Sequence, residues 1–208
     1  SKRIWWKCDV ADDHEWSATG NDRTAGRRGC PYCAGKRVSV TNSLESLFPE
    51  VAAEWHPTRN GDLTPADVAS GTSKRIWWKC DVANDHEWQA IVVSRSAGRG
   101  CPYCRGFKVS VSNSLESLFP EVAAEWHPTR NGDLTPAHVV AGTLKKHWWK
   151  CDVADDHEWQ ATGASRIRGD GCPCCRGLKV SVSNSVESLF PEVAAEWHPT
   201  KNGDLTPA

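Results

Sequence analysis

The stretch Cys30-Pro31-Tyr32-Cys33 decides the fold of this chain, because it returns twice in nearly the same form. The two further copies are Cys101-Pro102-Tyr103-Cys104 and Cys172-Pro173-Cys174-Cys175. Upstream of each copy lies a single cysteine, followed at a fixed distance by a histidine. One single and one paired cysteine in every repeat are typical of metal sites, whereas disulfide scaffolds have variable loops between their cysteines. We therefore expect metal binding in a reducing, intracellular environment, with a cytoplasmic location.

The cysteines and the nearby histidine of each repeat predict a structural zinc site. Three thiolates and one imidazole suit tetrahedral zinc, and four protein ligands leave no coordination position for a reacting water. A module this small often needs a metal for its stability. The predicted ligands of three zinc ions are Cys8, His14, Cys30 and Cys33, then Cys80, His86, Cys101 and Cys104, and then Cys151, His157, Cys172 and Cys175.

Two features of this ligand set stay open at the level of sequence. A second histidine recurs in a Trp-His-Pro motif, as His56, His127 and His198, and is an alternative fourth ligand. The other interpretation of this histidine is a helix-end side chain hydrogen-bonded to the backbone. Cys174 occupies the position of Tyr32 and Tyr103, so we expect it to be a spare thiol.

The whole chain consists of three copies of one repeat. Successive Cys-Pro-x-Cys motifs begin at Cys101 and Cys172, 71 residues apart, and the first copy has one extra residue before its motif. One division gives modules at 1–72, 73–143 and 144–208, the last truncated at its C-terminal end. Another division gives modules at 42–104 and 113–175. The sequence contains no methionine and stops in mid-repeat, so we expect a piece of a longer protein.

Each repeat is predicted to begin with a β-hairpin. Ile4 to Cys8 and His14 to Ala18 are rich in aromatic and β-branched residues and are separated by a polar turn. A third short strand is predicted from Arg37 to Thr41. The tryptophans recur at the same positions in every copy, so we expect them in the core, with Trp5 as the one with the greatest exposure.

The second half of each repeat is predicted to be helical, which makes the module a small α+β fold. Asn42 and Glu45 fit a capping pair at a helix start, and the apolar residues from Leu44 to Trp55 have helical spacing. Pro49 either kinks this helix or opens a second one, since proline lacks the backbone N–H that a helix interior needs. The connector from Leu63 to Thr72 is predicted to be extended.

The motifs Trp-Trp-Lys-Cys, His-Glu-Trp, Arg-x-x-Gly, Cys-Pro-Tyr-Cys, Asn-Ser-Leu and Glu-Trp-His-Pro follow one another in this order. This set resembles the bacterial family of probable zinc-ribbon repeats over nearly the whole chain. The resemblance implies tandem zinc-ribbon or treble-clef modules, often found beside Vsr-like or HNH nuclease domains. It also implies DNA binding, and it gives the ligand roles to Cys8, His14, Cys30, Cys33 and their counterparts.

The charge distribution favours nucleic-acid binding locally, although the formal net charge is only −1. The helical segment hardly varies among the copies and carries acidic residues, whereas the loop before each Cys-Pro-x-Cys motif varies and carries arginines. Arginine contacts both phosphates and guanine edges. The predicted contact residues are Arg23, Arg27, Arg28 and Arg37, then Arg95, Arg99, Arg105 and Lys108, and then Arg166, Arg168, Arg176 and Lys179.

These patterns lead to one main hypothesis and two alternatives. The main hypothesis is a modular array that binds double-stranded DNA, with RNA left open and an attached nuclease implied by the resemblance. The first alternative is a protein-interaction or spacer array. The second is an enzyme, which we do not expect, because the metal sites are closed and no nucleophile–base pair stands out. No membrane partner is expected, since no apolar run approaches about 18 residues. A small-molecule substrate is not expected either.

Overall fold

A computed structural model describes residues 2–208, which form two compact units, one up to residue 105 and the other from 106 to 208. Within these residues the secondary structure repeats with the sequence. The strands are β1 (Arg3–Lys7), β2 (Glu15–Thr19), β3 (Arg75–Lys79), β4 (Glu87–Ile91), β5 (Lys146–Lys150) and β6 (Glu158–Thr162). The helices are α1 (Gly20–Arg23), α2 (Leu44–Leu47), α3 (Pro49–Ala52), α4 (Val92–Ser96), α5 (Leu115–Leu118), α6 (Pro120–Ala123), α7 (Gly163–Ile167), α8 (Val186–Leu189) and α9 (Pro191–Ala194).

The strands pair as three antiparallel hairpins, β1–β2, β3–β4 and β5–β6. In each hairpin two tryptophans stand directly opposite each other, as Trp78 does to Trp88 in the second. Cross-strand aromatic pairs of this kind stabilise a two-stranded sheet that would be marginal alone. The hairpin with short helices that the sequence predicts is therefore confirmed in all three repeats.

Pro49 opens a second short helix, so the two-helix interpretation is confirmed. Phe48, with φ −141° and ψ 64°, separates α2 from α3. The predicted cap is different, because Ser43 and not Asn42 caps α2, and its hydroxyl accepts a hydrogen bond from the backbone N–H of Ser46. The Asn42 amide is turned the other way, towards the Cys-Pro-x-Cys turn, where it donates to the carbonyl oxygen of Tyr32.

The third strand predicted from Arg37 to Thr41 does not form; the segment is a turn. Its backbone bonds locally, since the Ser39 N–H donates to Asn42 Oδ1. In the other two repeats the segment ends in 3-10 turns, Val111–Asn113 and Val182–Asn184. The predicted extended connector also contains 3-10 turns, Pro65–Asp67 and Pro136–His138.

Each hydrophobic core joins the helices of one repeat to the hairpin of the next. The two short helices of each repeat lie in residues 44–56, 115–127 and 186–198, which we call the helical segments. The first core runs from Leu44 through Trp78 to Cys101, and the second from Leu115 through Trp149 to Cys174. Both cores thus cross the borders of the 1–72 and 73–143 division, although the module boundaries themselves stay predictions. No helix among the described residues is long and apolar enough to cross a membrane.

Two leucines of α5 offer a matched test of this core. Leu115 is completely buried, whereas Leu118, three residues later, is half exposed. We expect Leu115→Ala to lower the unfolding free energy of residues 106–208 by about 2–5 kcal/mol, because it leaves a cavity. Leu118→Ala should change it by less than about 0.5 kcal/mol. Chemical denaturation followed by tryptophan fluorescence measures both, and equal effects would contradict this packing.

Candidate metal centres

Three Cys3His groups lie in the positions that the sequence predicts. In each group the four ligand atoms all lie within 4.8 Å of one another. The groups are Cys8, His14, Cys30 and Cys33; Cys80, His86, Cys101 and Cys104; and Cys151, His157, Cys172 and Cys175.

The distances within a group fit a zinc ion at its centre. In the third group, His157 Nδ1 lies 3.3 Å from the sulfur of Cys175 and 3.7 Å from that of Cys172. The sulfurs of Cys151 and Cys175 are 3.7 Å apart. A tetrahedron with zinc bonds of usual length has edges of about 3.5–3.8 Å. The chain therefore has three Cys3His zinc sites, with Nδ1 as the histidine ligand atom.

Local structure brings the ligands together. Cys8 follows β1 and His14 precedes β2, and the Cys8 N–H donates to the carbonyl oxygen of His14 at 3.1 Å. The paired cysteines lie in a tight turn, in which Gly35 has a φ of +65° that favours glycine. Backbone N–H groups of this turn point at the Cys30 sulfur. The hairpin and the turn therefore each supply two ligands.

The second cysteine of each pair depends on a metal to become a thiolate. Partial burial and the neighbouring cysteines raise the pKa of Cys33 to about 11, and those of Cys104 and Cys175 to about 12. Three negative sulfurs this close together repel one another, so they cannot all ionise near neutral pH without a compensating charge. A divalent zinc ion supplies that charge and displaces the protons.

Hydroxyl groups hold the histidine ligand by its other nitrogen, a feature that our sequence analysis missed. His14 Nε2 lies 2.9 Å from Ser39 Oγ and 2.8 Å from Thr41 Oγ1. In the third repeat His157 Nε2 lies 3.0 Å from Ser181 Oγ and 2.8 Å from Ser183 Oγ. These contacts fix the ring with Nδ1 towards the sulfurs. The signal in the sequence was a pair of hydroxyl residues two positions apart, in the same register of every repeat.

In two repeats the residue before the second of the paired cysteines is a tyrosine that stacks on the histidine ligand. The ring of Tyr32 stacks on His14 at 5.0 Å, and Tyr103 stacks on His86 at the same distance. Cys174 takes this place in the third repeat, is almost completely buried, and lies outside the ligand group. Burial raises the pKa of the Cys174 thiol, which keeps it neutral.

The histidine of the Trp-His-Pro motif, which the sequence offered as an alternative fourth ligand, has partners outside the metal site. His56 Nδ1 accepts hydrogen bonds from the backbone N–H groups of Thr58 and Arg59, both at 3.2 Å. Its Nε2 lies 3.2 Å from a carboxylate oxygen of Glu87, on the following hairpin. This histidine therefore ties the end of the helical segment to the next hairpin and is not part of the Cys3His groups.

Arg23, Arg95 and Arg166 occupy equivalent positions in the loop before each Cys-Pro-x-Cys motif, and the structure buries the last two and half-buries the first. Arg95 is only 3% exposed, and its guanidinium lies between the rings of Trp78 and Trp88, at 5.3 and 5.4 Å. It donates to the carbonyl oxygen of Arg99 and forms a 2.7 Å ion pair with Glu54. Buried in this way, the side chain cannot reach a nucleic acid without unpacking the core.

The other two arginines of this register repeat the arrangement. Arg166 lies between Trp149 and Trp159 and pairs with Glu125 at 2.7 Å. Arg23 lies over Trp6 and Trp16, at 5.0 and 5.2 Å, and is half-buried. These three arginines are among the residues that the sequence predicts to contact nucleic acid, and in the structure each one packs on two tryptophans.

The remaining predicted contact residues lie on the surface. They are Arg27, Arg28, Arg37, Arg99, Arg105, Lys108, Arg168, Arg176 and Lys179. In the first repeat Arg28 and Arg37, together with Arg3 and Lys36, line a groove of about 270 Å³ between β2 and the metal-binding turn. A single acid, Asp22, lies among them and pairs with Arg28 at 3.3 Å.

One family model matches the chain in three places. It is described as a probable treble clef zinc finger domain, and it matches residues 1–36, 51–107 and 122–178, well over half of the sequence. The two longer matches each begin in a helical segment and end after the metal-binding turn of the next repeat. Comparison with curated proteins gives no match.

The hydroxyl contacts to the histidine give a prediction with an internal control. We expect Ser181→Ala with Ser183→Ala to weaken zinc binding at the third site about 10- to 100-fold, because His157 loses the partners that orient it. The first two sites keep their hydroxyls and should be unchanged. Stepwise competition with a chromophoric chelator counts the ions released at each strength. Three ions that still leave together would contradict this role.

The buried arginine gives a second prediction. We expect Arg95→Ala to lower the unfolding free energy of residues 1–105 by about 2–3 kcal/mol, because Glu54 loses its partner and two indole faces lose a cation. Glu54 keeps some contact with water, so the loss stays below that of a fully buried pair. Arg99→Ala, an exposed neighbour, should change stability by less than about 0.5 kcal/mol. Chemical denaturation curves of the two variants measure this difference, and equal losses of stability would contradict the structural role of Arg95.

Proposed function

We propose that this chain, which belongs to the family of probable treble clef zinc finger domains, is a modular array that binds double-stranded DNA. Its zinc ions hold the modules in shape, and exposed arginines and lysines around the metal-binding turns contact the phosphates. The closed zinc sites give the chain no catalytic role in this proposal. An attached nuclease, a bacterial source and a cytoplasmic location belong to the same proposal.

The cationic groove of the first repeat is the observation that carries this proposal. Arg3, Arg28, Lys36 and Arg37 line it against one acidic side chain. Four cationic side chains that line one groove suit a backbone with a phosphate every few ångströms. The overall charge of −1 does not oppose this, because phosphate contacts depend on the charge near the bound strand.

Positive charge is concentrated in one part of each repeat. The loop before each metal-binding turn exposes arginines, whereas the helical segments expose acids, such as Glu45 and Glu50, and the hairpin turn beside the zinc site exposes Asp9 and Asp12. The acids would be repelled by DNA, so this distribution favours an approach by the arginine-bearing loop.

The variable loop remains the place where the copies can differ in what they contact. Arg27 and Arg28 in the first repeat have Arg99 and Arg168 as their nearest exposed counterparts in the loops of the others. The buried arginine next to them fixes the loop by bonding to the carbonyl oxygen of Arg28, Arg99 or Asp170. We therefore assign DNA contact to the exposed arginines and only a positioning role to Arg23, Arg95 and Arg166.

The test is a fluorescence anisotropy titration of a labelled duplex with the zinc-loaded chain at two salt concentrations. We expect affinity to fall as salt rises, because each phosphate contact releases a counterion. Replacing Arg27, Arg37, Arg99 and Arg168 together by glutamine should weaken binding at least tenfold at low salt and flatten the salt dependence. A single-stranded RNA and an RNA duplex of the same length, run beside the DNA, separate the two nucleic acids.

A control variant removes the same charge elsewhere. Lys74, Arg75, Lys145 and Lys146 are exposed and lie in the connectors and at the strand starts. Replacing these four by glutamine should weaken binding much less. If both variants weaken it equally, the binding is nonspecific attraction to charge, and if the intact chain binds no duplex at low salt, the proposal is overturned.

A protein-interaction array is the second candidate, and a repeated apolar pair favours it. Val10 and Val40 are both about two-thirds exposed, and the Val40 N–H donates to Asp13 in the turn that contains Val10. Val153 and Val182 repeat the pair beside the third zinc site. This candidate predicts no salt-dependent affinity for nucleic acid and a protein partner whose capture is lost on changing these valines to serine.

A further inference from the structure

One exposed position of the metal-binding turn holds a cation in the first repeat and a large apolar side chain in the other two. This position, directly after the glycine of the turn, is Lys36, Phe107 or Leu178. Phe107 is 72% exposed and Leu178 is 71% exposed, and neither belongs to a hydrophobic core. Packing of the fold therefore does not account for an apolar side chain at this position.

In the first repeat this position faces the cationic groove, which Lys36 lines. The backbone of the turn is the same elsewhere. The Lys36 N–H donates to the carbonyl oxygen of Pro31 at 2.8 Å, and the Leu178 N–H donates to that of Pro173 at the same distance. Phe107 follows its paired cysteines at the same spacing. The two apolar side chains thus correspond to the side of the first repeat that we propose to contact phosphates.

Positive charge flanks both apolar side chains. The neighbouring cations are Arg105 and Lys108 in the second repeat and Arg176 and Lys179 in the third. No acidic residue occurs in the sequence between residues 101 and 113 or between 172 and 184. An apolar side chain among cations complements a DNA duplex, in which two rows of phosphates border a stack of bases.

The turn presents its side chain from a fixed backbone. In the third repeat the Asn184 amide donates to the carbonyl oxygens of Cys174 and Lys179, at 2.8 and 3.0 Å. In the second repeat the Asn113 amide donates to the carbonyl oxygen of Lys108 at 3.0 Å. Two zinc ligands anchor the start of each turn. Little backbone freedom is therefore lost when the side chain enters a binding partner.

The choice of phenylalanine and leucine separates two ways of contacting bases. A protein stacks on unpaired bases through a flat aromatic ring, which leucine lacks. Parting two stacked base pairs of a duplex requires only an apolar side chain of sufficient volume, and both residues supply that. The pair therefore favours insertion into a duplex over a stacking platform for a single strand.

We infer that Phe107 and Leu178 act as wedges, each of which enters a groove of the bound duplex and parts two neighbouring base pairs while the flanking cations hold the phosphates. This role rests on the proposed DNA binding and divides the array. The first repeat, with Lys36, only holds the backbone, whereas the second and third also bend the duplex. An apolar wedge of this kind kinks DNA by about 20–90°.

Energy transfer between dyes at the two ends of a short duplex, saturated with the zinc-loaded chain, tests this role. We expect transfer to rise on binding, because a kink brings the ends closer. Phe107→Ser with Leu178→Ser should abolish most of the rise. The affinity measured by anisotropy should stay within about tenfold, with the same salt dependence, because the phosphate contacts remain. Both residues are exposed, so zinc content and circular dichroism should be unchanged.

A matched control removes two other exposed leucines. Leu118 lies in a helical segment and Leu144 in a connector, and both are at least half exposed. Leu118→Ser with Leu144→Ser should leave the rise in energy transfer intact.

The outcomes separate the wedges from DNA binding itself. A duplex that binds without a rise in transfer, or a rise that the Phe107 and Leu178 double variant keeps, overturns the wedges and leaves the proposed function standing. A single strand that binds more tightly than the duplex, and that the double variant binds more weakly, assigns the side chains to unpaired bases and also overturns the wedges. Failure to bind any duplex at low salt overturns the proposed function as well.

Discussion

The tetrahedral geometry of zinc is the constraint on which the rest of this structure depends. The helices have only four or five residues, too few to be stable alone in water, and each sheet has only two strands. Zinc joins the two ends of a hairpin turn to a second turn more than twenty residues away, as between Cys8 and Cys33. With that geometry fixed, a few tryptophans suffice to fill the core.

A second interaction extends this constraint from one repeat to the next. The guanidinium of Arg95 lies between two tryptophans of the zinc-bound hairpin and reaches Glu54 in the preceding helical segment. Arginine suits this position because its flat cation can stack on aromatic faces and still donate along its edge. The indole pair, the loop before the metal-binding turn and the preceding helical segment are thus linked through a single side chain, and Arg166 repeats the link.

The sequence alone predicts the features that depend on spacing within one element. The cysteine ligands and the hairpins follow from local patterns, and the structure has both. For Pro49 and for the histidine ligand the sequence leaves two interpretations open, and the structure has a second helix at Pro49 and His14 in the first ligand group. Contacts between elements were not predictable in the same way. The hydroxyls of Ser39 and Thr41 resemble an ordinary strand pattern until the fold brings them to His14. Arg95 was not predictable for the same reason. An arginine at the equivalent position of every repeat indicates a constraint, but the sequence does not show whether that constraint is packing or binding.

The contact between a helical segment and the hairpin of the next repeat also explains where the copies are free to differ. Residues at the contact between a helical segment and the next hairpin must fit two surfaces at once, and these residues are nearly identical in the three copies. The loop before the metal-binding turn is held from inside by one buried arginine, so its exposed residues satisfy no second surface. Variation is therefore tolerated there without loss of the fold. The copies also differ just after the paired cysteines, where Lys36, Phe107 and Leu178 occupy one position and are all exposed, so the same argument extends to that turn.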